Sequence, residues 1–342
     1  MNQELEFPGF VDVHVHLRDP GFPMSETVES GLAAAAAGGF AAVVSMPNTL
    51  PACDSPEIME YQLRKALGSP VSLFASACIT KGRAGAEVSD IESLAAAGAS
   101  FFTDDGSYVE DAFVMEEAMR RIASLGMVAS QHALSRDADE ASAIRRDLEL
   151  CRVTGCRIHV QHISTAAGVE LVRNAQKEGL PVTAEATPHH LLFVRGDIPP
   201  GDTNYKMAPP LAGPEDRAEL RKAVKDGVLM FATDHAPHPD SSKRCSWESA
   251  ANGIIGLEVA VPLTYAVMVG EEGMDVDKWA QAWWKMPREI MQKPPSLDVK
   301  TRLVVGQRRK IDVSSFKSLS RNCPYDKMES VCWPVPVGTE ER

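Results

Sequence analysis

The sequence predicts a (β/α)8, or TIM, barrel followed by a small C-terminal appendage. Three observations predict it. Short apolar, β-branched runs alternate with helix-forming stretches eight times, and such alternation argues for a parallel sheet closed on itself. The 342 residues suit one barrel of about 250 residues with additions. The apolar runs repeatedly end in His, Asp or Asn, and in a barrel all C-terminal strand ends meet on one face.

The first strand is expected over 10–17 (FVDVHVHL) and stops at the turn Asp19-Pro20-Gly21. Ser25 is the expected cap of a helix that runs to Ala37 and ends at Gly38-Gly39. A buried strand over 40–46 ends in Pro47-Asn48-Thr49, and Ser55-Pro56 then opens a helix to about Leu67. Strands follow at 71–78 and 100–103, separated by a helix that Gly98 stops. The fourth strand runs into Asp104-Asp105-Gly106, and 111–124 is helical. The strand at 127–131 ends at His132, and a helix is expected over 137–154. The strand at 157–161 ends at His162, and the helix 165–178 is stopped by Gly179. The strand at 181–186 ends in Thr187-Pro188-His189-His190, and the eighth, 228–232, ends in Thr233-Asp234-His235. Helices at 257–269 and 276–284 complete the barrel unit, 1–290. Residues 291–342, rich in Pro, Lys and short apolar pieces, read as an irregular or β appendage with a polar end at 338–342.

Composition narrows the function. A net charge of −12 argues against nucleic acid or an anionic membrane as the main partner. The seven cysteines are scattered and form no CxxC pair, so reduced thiols in a cytoplasmic protein are the simplest reading. Residues 1–10 lack the basic and apolar regions of a signal peptide, and no run is long enough to cross a membrane.

His14 and His16 stand two apart on a strand, so both imidazoles face one side, and Asp12 on that side could orient one of them. Two buried core histidines would be the plain account of this pair alone. The ends of the other strands change it: Asp104 or Asp105, His132, His162 and Asp234 would converge on the same small volume. His159, inside its strand, reads as a packing or hydrogen-bonded histidine. His189 and His190 read as residues that could flank the ligands, and His235 as a flanking or structural residue. Mixed imidazole and carboxylate donors suit Zn²⁺ or a similar cation, with enough ligands for two ions. Two ions would activate a water and polarise a carbonyl, which implies hydrolysis or closure of an amide-like bond. Asp234 could carry the proton to the leaving nitrogen. Arg18, a fixed cation beside this centre, suits a substrate carboxylate, and Asn48 sits on the neighbouring strand end.

These segments also resemble a known family. His14-Val-His-Leu-Arg-Asp-Pro-Gly21, Met46-Pro-Asn-Thr49, Thr187-Pro-His-His-Leu191 and Ala232-Thr-Asp-His-Ala-Pro-His238 resemble the dihydroorotases of the cyclic amidohydrolase superfamily. The compact N-terminus is similar to the animal form. Thr103-Asp-Asp-Gly106 is similar to the bacterial class I form, in which an aspartate replaces a carboxylated lysine.

The resemblance implies His14, His16, Asp105, His132, His162 and Asp234 as ligands of one or two Zn²⁺ ions, with Asp105 bridging and Asp234 also the catalytic acid/base. It implies that Arg18, Asn48 and His238 hold the substrate, and that the Asn252-Gly253 backbone contacts its ring. The implied reaction is the reversible cyclisation of N-carbamoyl-L-aspartate to dihydroorotate in pyrimidine biosynthesis. The implied protein partners are a second copy of the chain and aspartate transcarbamoylase. Ala208 and Ala212 depart from the family pattern at a substrate-contacting segment. Glu185 matches a position that joins a further metal in some members, but Gln161 replaces the accompanying thiol, so no third ion is expected. The alternatives are a hydantoinase or allantoinase and a non-catalytic scaffold for the transcarbamoylase.

Overall fold

The computed structural model describes residues 3–136 and 138–339. The expected helix start at Asp137 and the last residues of the polar end, 340–342, lie outside the described residues. In chain order the strands are β1 (Gln3–Pro8), β2 (Phe10–Val15), β3 (Phe40–Ser45), β4 (Ser72–Ala75), β5 (Phe102–Thr103), β6 (Val128–Gln131), β7 (Arg157–Val160), β8 (Val182–Ala186), β9 (Met230–Phe231), β10 (Lys300–Lys310) and β11 (Glu329–Pro334).

β2 to β9 are the eight parallel barrel strands. They pair as β2-β3-β4 and β5-β6-β7-β8-β9. Two single bridges join these arcs, Ala77 to Phe102 and Val15 to His235. Val11, Val13, Ala42, Val44, Phe101, Val128, Met230 and Ala232 fill the barrel, with Ile290 and Met291 packed among them. The outward residues of the same strands, among them Phe10, Phe40, Val43, Phe102, Ile158 and Phe231, meet the helices in a second apolar layer. Period-two alternation on strands buried on both faces produces these two layers from near-continuous apolar runs.

Helix boundaries follow side-chain caps. The first helix is Val28–Ala37, and its cap is Thr27, not the expected Ser25. Thr27 and Ser30 each satisfy the other's main-chain N–H, a reciprocal box that Ser25 cannot form. Ser25 instead sits in the preceding turn, its N–H bonded to Phe22 O at 2.9 Å. Asp90, Asp111, Asp139 and Thr165 cap the helices that follow them. The expected helix at 257–269 is a short α-helix, Ala260–Thr264, continuing into a π-helical stretch, Tyr265–Glu271. Trp283 of the helix Val276–Trp284 stacks on Phe231 and meets Phe40 edge-on, so this helix covers β3 and β9.

The division at 290 needs a correction at the N-terminus. β1 does not join the barrel. It pairs antiparallel with β10, which pairs with β11. A strand of six residues gains a ladder only beside an unpaired strand, and the C-terminal hairpin supplies that edge.

The C-terminal part also reaches the barrel mouth. Glu26 is fully buried and accepts from Leu319 N (3.1 Å), from His235 Nε2 (3.3 Å) and from the hydroxyls of Ser30 and Ser318. His235 Nδ1 accepts from Gly256 N at 3.1 Å, so its expected structural role holds. Glu26→Ala strands several of these buried donors, and urea unfolding is expected to show a loss of about 3 kcal/mol. A loss below about 0.5 kcal/mol would mean that Glu26 does not anchor this region.

Candidate active site

The first strand does not keep a strict alternation. Val11 and Val13 point into the barrel, while Val15 and Leu17 belong to the outer layer. Between them the register with β3 shifts, between Asp12 and Val15. A bulge of this kind re-aims side chains, and here it turns both His14 and His16 into the barrel mouth. It also separates Asp12 from them. Asp12 Oδ1 accepts from the main-chain N–H groups of His14 and Thr233, both at 3.1 Å, so it holds backbone and orients no ring.

Asp105 lies at the middle of the histidines. Its Oδ1 is 3.2 Å from His14 Nε2, 3.3 Å from His132 Nδ1 and 3.8 Å from His162 Nε2. Its other oxygen is 3.3 Å from His16 Nε2. Asp234 Oδ1 is 2.9 Å from His16 Nε2 and 3.4 Å from His14 Nε2. His132 and His162 touch at 2.8 Å. The six residues named by the strand ends therefore meet in one cluster. Asp104 does not join it: it accepts from Thr80 N at 3.0 Å and from the Thr80 hydroxyl, so of the adjacent aspartates Asp105 is the one that faces the histidines.

The cluster suits a divalent cation. His14 donates from Nδ1 to Glu185 Oε1 at 2.5 Å, and His16 from Nδ1 to Asn48 Oδ1 at 2.8 Å. On both rings the outward Nδ1 contact leaves Nε2 facing the cluster. Among the described residues His14 Nε2 and Asp105 Oδ2 are buried without a hydrogen-bond partner, a costly state that a bound ion would relieve. Donor atoms of His14, His16 and Asp234 lie within 4.8 Å of one another, as do those of His14, Asp105 and His162. Burial alone would raise the pKa of Asp105 and Asp234, but the facing imidazoles hold both carboxyls below the ordinary range. Burial opposes a charged His14, yet Glu185, Asp105 and Asp234 outweigh it and push that ring's pKa well up. The negative field that would retain a proton there is the field a cation would meet.

Strain marks the same place. Arg18, His162 and Asp234 have φ of 59°, 31° and 46°, left-handed conformations that side chains other than Gly and Asn adopt at a cost. A cavity of about 390 Å³ opens above the cluster. Arg18, Asn48, His238, Asn252 and Gly253 all line it, as does Ala208. Arg18 Nε donates to Pro237 O at 3.2 Å, which fixes the guanidinium. His238 Nε2 donates to Asn252 O at 2.8 Å. Its pKa falls to about 3 through burial and the nearby Arg18.

Several residues escaped the sequence reading in these roles. Glu185 receives His14, His159 Nε2 (3.0 Å) and His162 N (3.1 Å), and these contacts lower its pKa to about 2 against burial. The expected hydrogen-bonded role of His159 holds. Period two on β8 places Glu185 inward, a signal that was available. Arg83 donates to Asp105 O at 2.6 Å and Ser107 Oγ at 3.2 Å, so it steadies the turn after Asp105. Nothing in its local sequence marks it. His190 is tied to Thr187 Oγ1 and Pro209 O, while buried His189 Nε2 has no partner among the described residues.

A family model described as dihydro-orotase-like matches residues 4–166. A dihydroorotase of Bacillus licheniformis is 40% identical over 360 residues, spanning 96% of this chain and 84% of that protein. A dihydroorotase of Geobacillus sp. is 39% identical over 363 residues, with the same coverage of 96% and 84%. Among solved structures, the L-hydantoinase of Arthrobacter aurescens superposes with a TM-score of 0.87 at 23% identity, covering 98% of this chain and 85% of that one. A dihydroorotase of Saccharomyces cerevisiae in complex with 5-fluoroorotic acid gives 0.79 at 18%, covering 97% and 98%. At these identities the structural likenesses show the fold alone, a (β/α)8 barrel. The sequence relatives carry more, because their identity extends over nearly all of the chain, and on that ground this chain belongs to the dihydroorotase family.

Proposed function

We propose that the cluster is a zinc centre that interconverts N-carbamoyl-L-aspartate and (S)-dihydroorotate. The observation that carries this reading is the position of Asp105 in the middle of the four histidines, where it could serve as a ligand shared by two ions. His14, His16 and Asp234 would hold one ion, and His132 and His162 the other. When bound, zinc polarises the ring carbonyl and lowers the pKa of the attacking water. Arg18 binds the substrate carboxylate through paired N–H donors at the cavity wall. His238 holds the Asn252 carbonyl, and the Asn252-Gly253 main chain lies against the ring. Asp234 takes the proton of the attacking water as the new C–O bond forms. It returns that proton to the ring nitrogen as the C–N bond breaks, and cyclisation runs these transfers in reverse.

The scaffold alternative requires lost metal ligands, whereas all six side chains are in place. The hydantoinase alternative rests on fold likeness, and Arg18 at the cavity favours an anionic ring instead. Ala208 offers no polar group where the family pattern has one, which weakens substrate binding without touching the cluster. The seven cysteines are free, which supports a reducing, cytoplasmic location. Among the described residues no helix is long and apolar enough to cross a membrane. A homodimer and association with aspartate transcarbamoylase are supported by family analogy.

Asp234→Asn is expected to fold with an unchanged circular dichroism spectrum and to lose about 10³-fold in kcat for dihydroorotate. Turnover near that of the wild type would remove Asp234 from proton transfer. Arg18→Ala is expected to raise KM by roughly ten- to a hundredfold, the cost of one charge-assisted contact. An unchanged KM in steady-state assays would move the carboxylate elsewhere.

A further inference from the structure

Part of the cavity wall, Asn252 and Gly253, ends the irregular segment 247–253, and two lysines hold that segment. Lys243 is 4% exposed, and its ammonium donates to three main-chain carbonyls: Lys206 O at 3.1 Å, Ala251 O at 2.9 Å and Gly253 O at 3.0 Å. Lys206 does the same further out, donating to Trp247 O at 2.6 Å, Glu248 O at 3.1 Å and Ala250 O at 2.7 Å. All three donors of each ammonium are spent on backbone. Asn322 Nδ2 adds bonds to Gly253 O (3.0 Å) and Ala236 O (2.9 Å).

Lys243 does not line the cavity, whereas Asn252 and Gly253 do. Their peptide planes are set by where the carbonyls go. In a trans peptide the C=O of one residue and the N–H of the next point in opposite directions. Anchoring Ala251 O on Lys243 therefore turns the Asn252 N–H away from the lysine. Gly253, at φ +145°, has no room for a Cβ, which would lie 2.7 Å from Ala236 O. The wall is thus pinned in one conformation at the residues that face the substrate. Holding an ammonium here is costly: burial and the neighbouring Lys206 lower the Lys243 pKa to about 8. The three carbonyl contacts offset that cost and polarise the peptide groups they touch.

We propose that Lys243 is a positioning residue for substrate affinity: by clamping the Ala251 and Gly253 carbonyls it presents the Asn252-Gly253 main-chain edge to the ring. This rests on the reading of Asn252 and Gly253 as the ring-contacting wall. Lys243 touches neither the histidine cluster nor Asp234, so its contribution falls on KM.

The test is steady-state kinetics on dihydroorotate with zinc content measured on the same samples. Lys243→Met removes every donor, and Lys243→Gln retains two on a shorter arm. The expected result is a KM about tenfold higher in Lys243→Met, an intermediate KM in Lys243→Gln, and kcat and zinc content within about twofold of the wild type. If Lys243→Met does not fold, the KM of Lys243→Gln decides. A folded variant with wild-type KM, or one in which kcat and zinc fall while KM stays, overturns the proposal. Gly253→Ala separates the two layers of inference. If it leaves KM unchanged, the wall reading itself fails. If it raises KM while the Lys243 variants do not, only the role of Lys243 fails.

Discussion

The site depends on the seam where the first and last barrel strands meet. β2 carries His14 and His16 and leads into Arg18, while β9 leads into Asp234 and His238. The two strands touch through few main-chain bonds. His16 N donates to His235 O at 2.9 Å, and Asp12 Oδ1 bridges the N–H groups of His14 and Thr233. Asp12 pays for this position, since burial raises its pKa to about 7. In return the seam fixes the His14–Asp234 and His16–Asp234 separations to within an imidazole's reach. Without it the barrel would still hold its apolar layers, but the two halves of the cluster would have no common register.

Charge then organises the remaining groups. The cluster gathers Asp105, Asp234 and Glu185 around buried His14, an arrangement that repels itself unless cations balance it. Imidazoles alone supply part of that balance. The ordering of hydrogen bonds behind the rings, Glu185 on His14 and Asn48 on His16, leaves the inner nitrogens facing the cluster. Carboxylates between histidines and imidazoles anchored from outside together make a centre whose charge favours a cation. The cavity above it carries the opposite sign on one wall, at Arg18, so an anionic ring can approach a centre that is itself rich in carboxylates.

Most of this was legible in the sequence because strand ends in a closed barrel have only one place to go. Eight apolar runs gave the strands to within a few residues, and their terminal His and Asp residues gave the cluster. What escaped depends on contacts that no local pattern encodes. The bulge in β2 breaks the alternation on which the expected role of Asp12 relied. Gln3–Pro8 falls within the expected barrel unit, and only its pairing with β10 places it elsewhere. Thr27 displaces Ser25 as a cap because Ser30 answers it across one turn. Lys243 and Lys206 look like ordinary surface lysines, and only tertiary packing brings carbonyls around them.

The proposed zinc centre is where the six-residue cluster and the chemistry meet. It is tested most directly by stripping the protein with a chelator and titrating zinc back while following dihydroorotate hydrolysis and bound metal together. The stripped protein is expected to show no turnover, and activity to recover in proportion to bound zinc, saturating at no more than about two ions per chain. Full turnover by protein shown to be free of metal would contradict it.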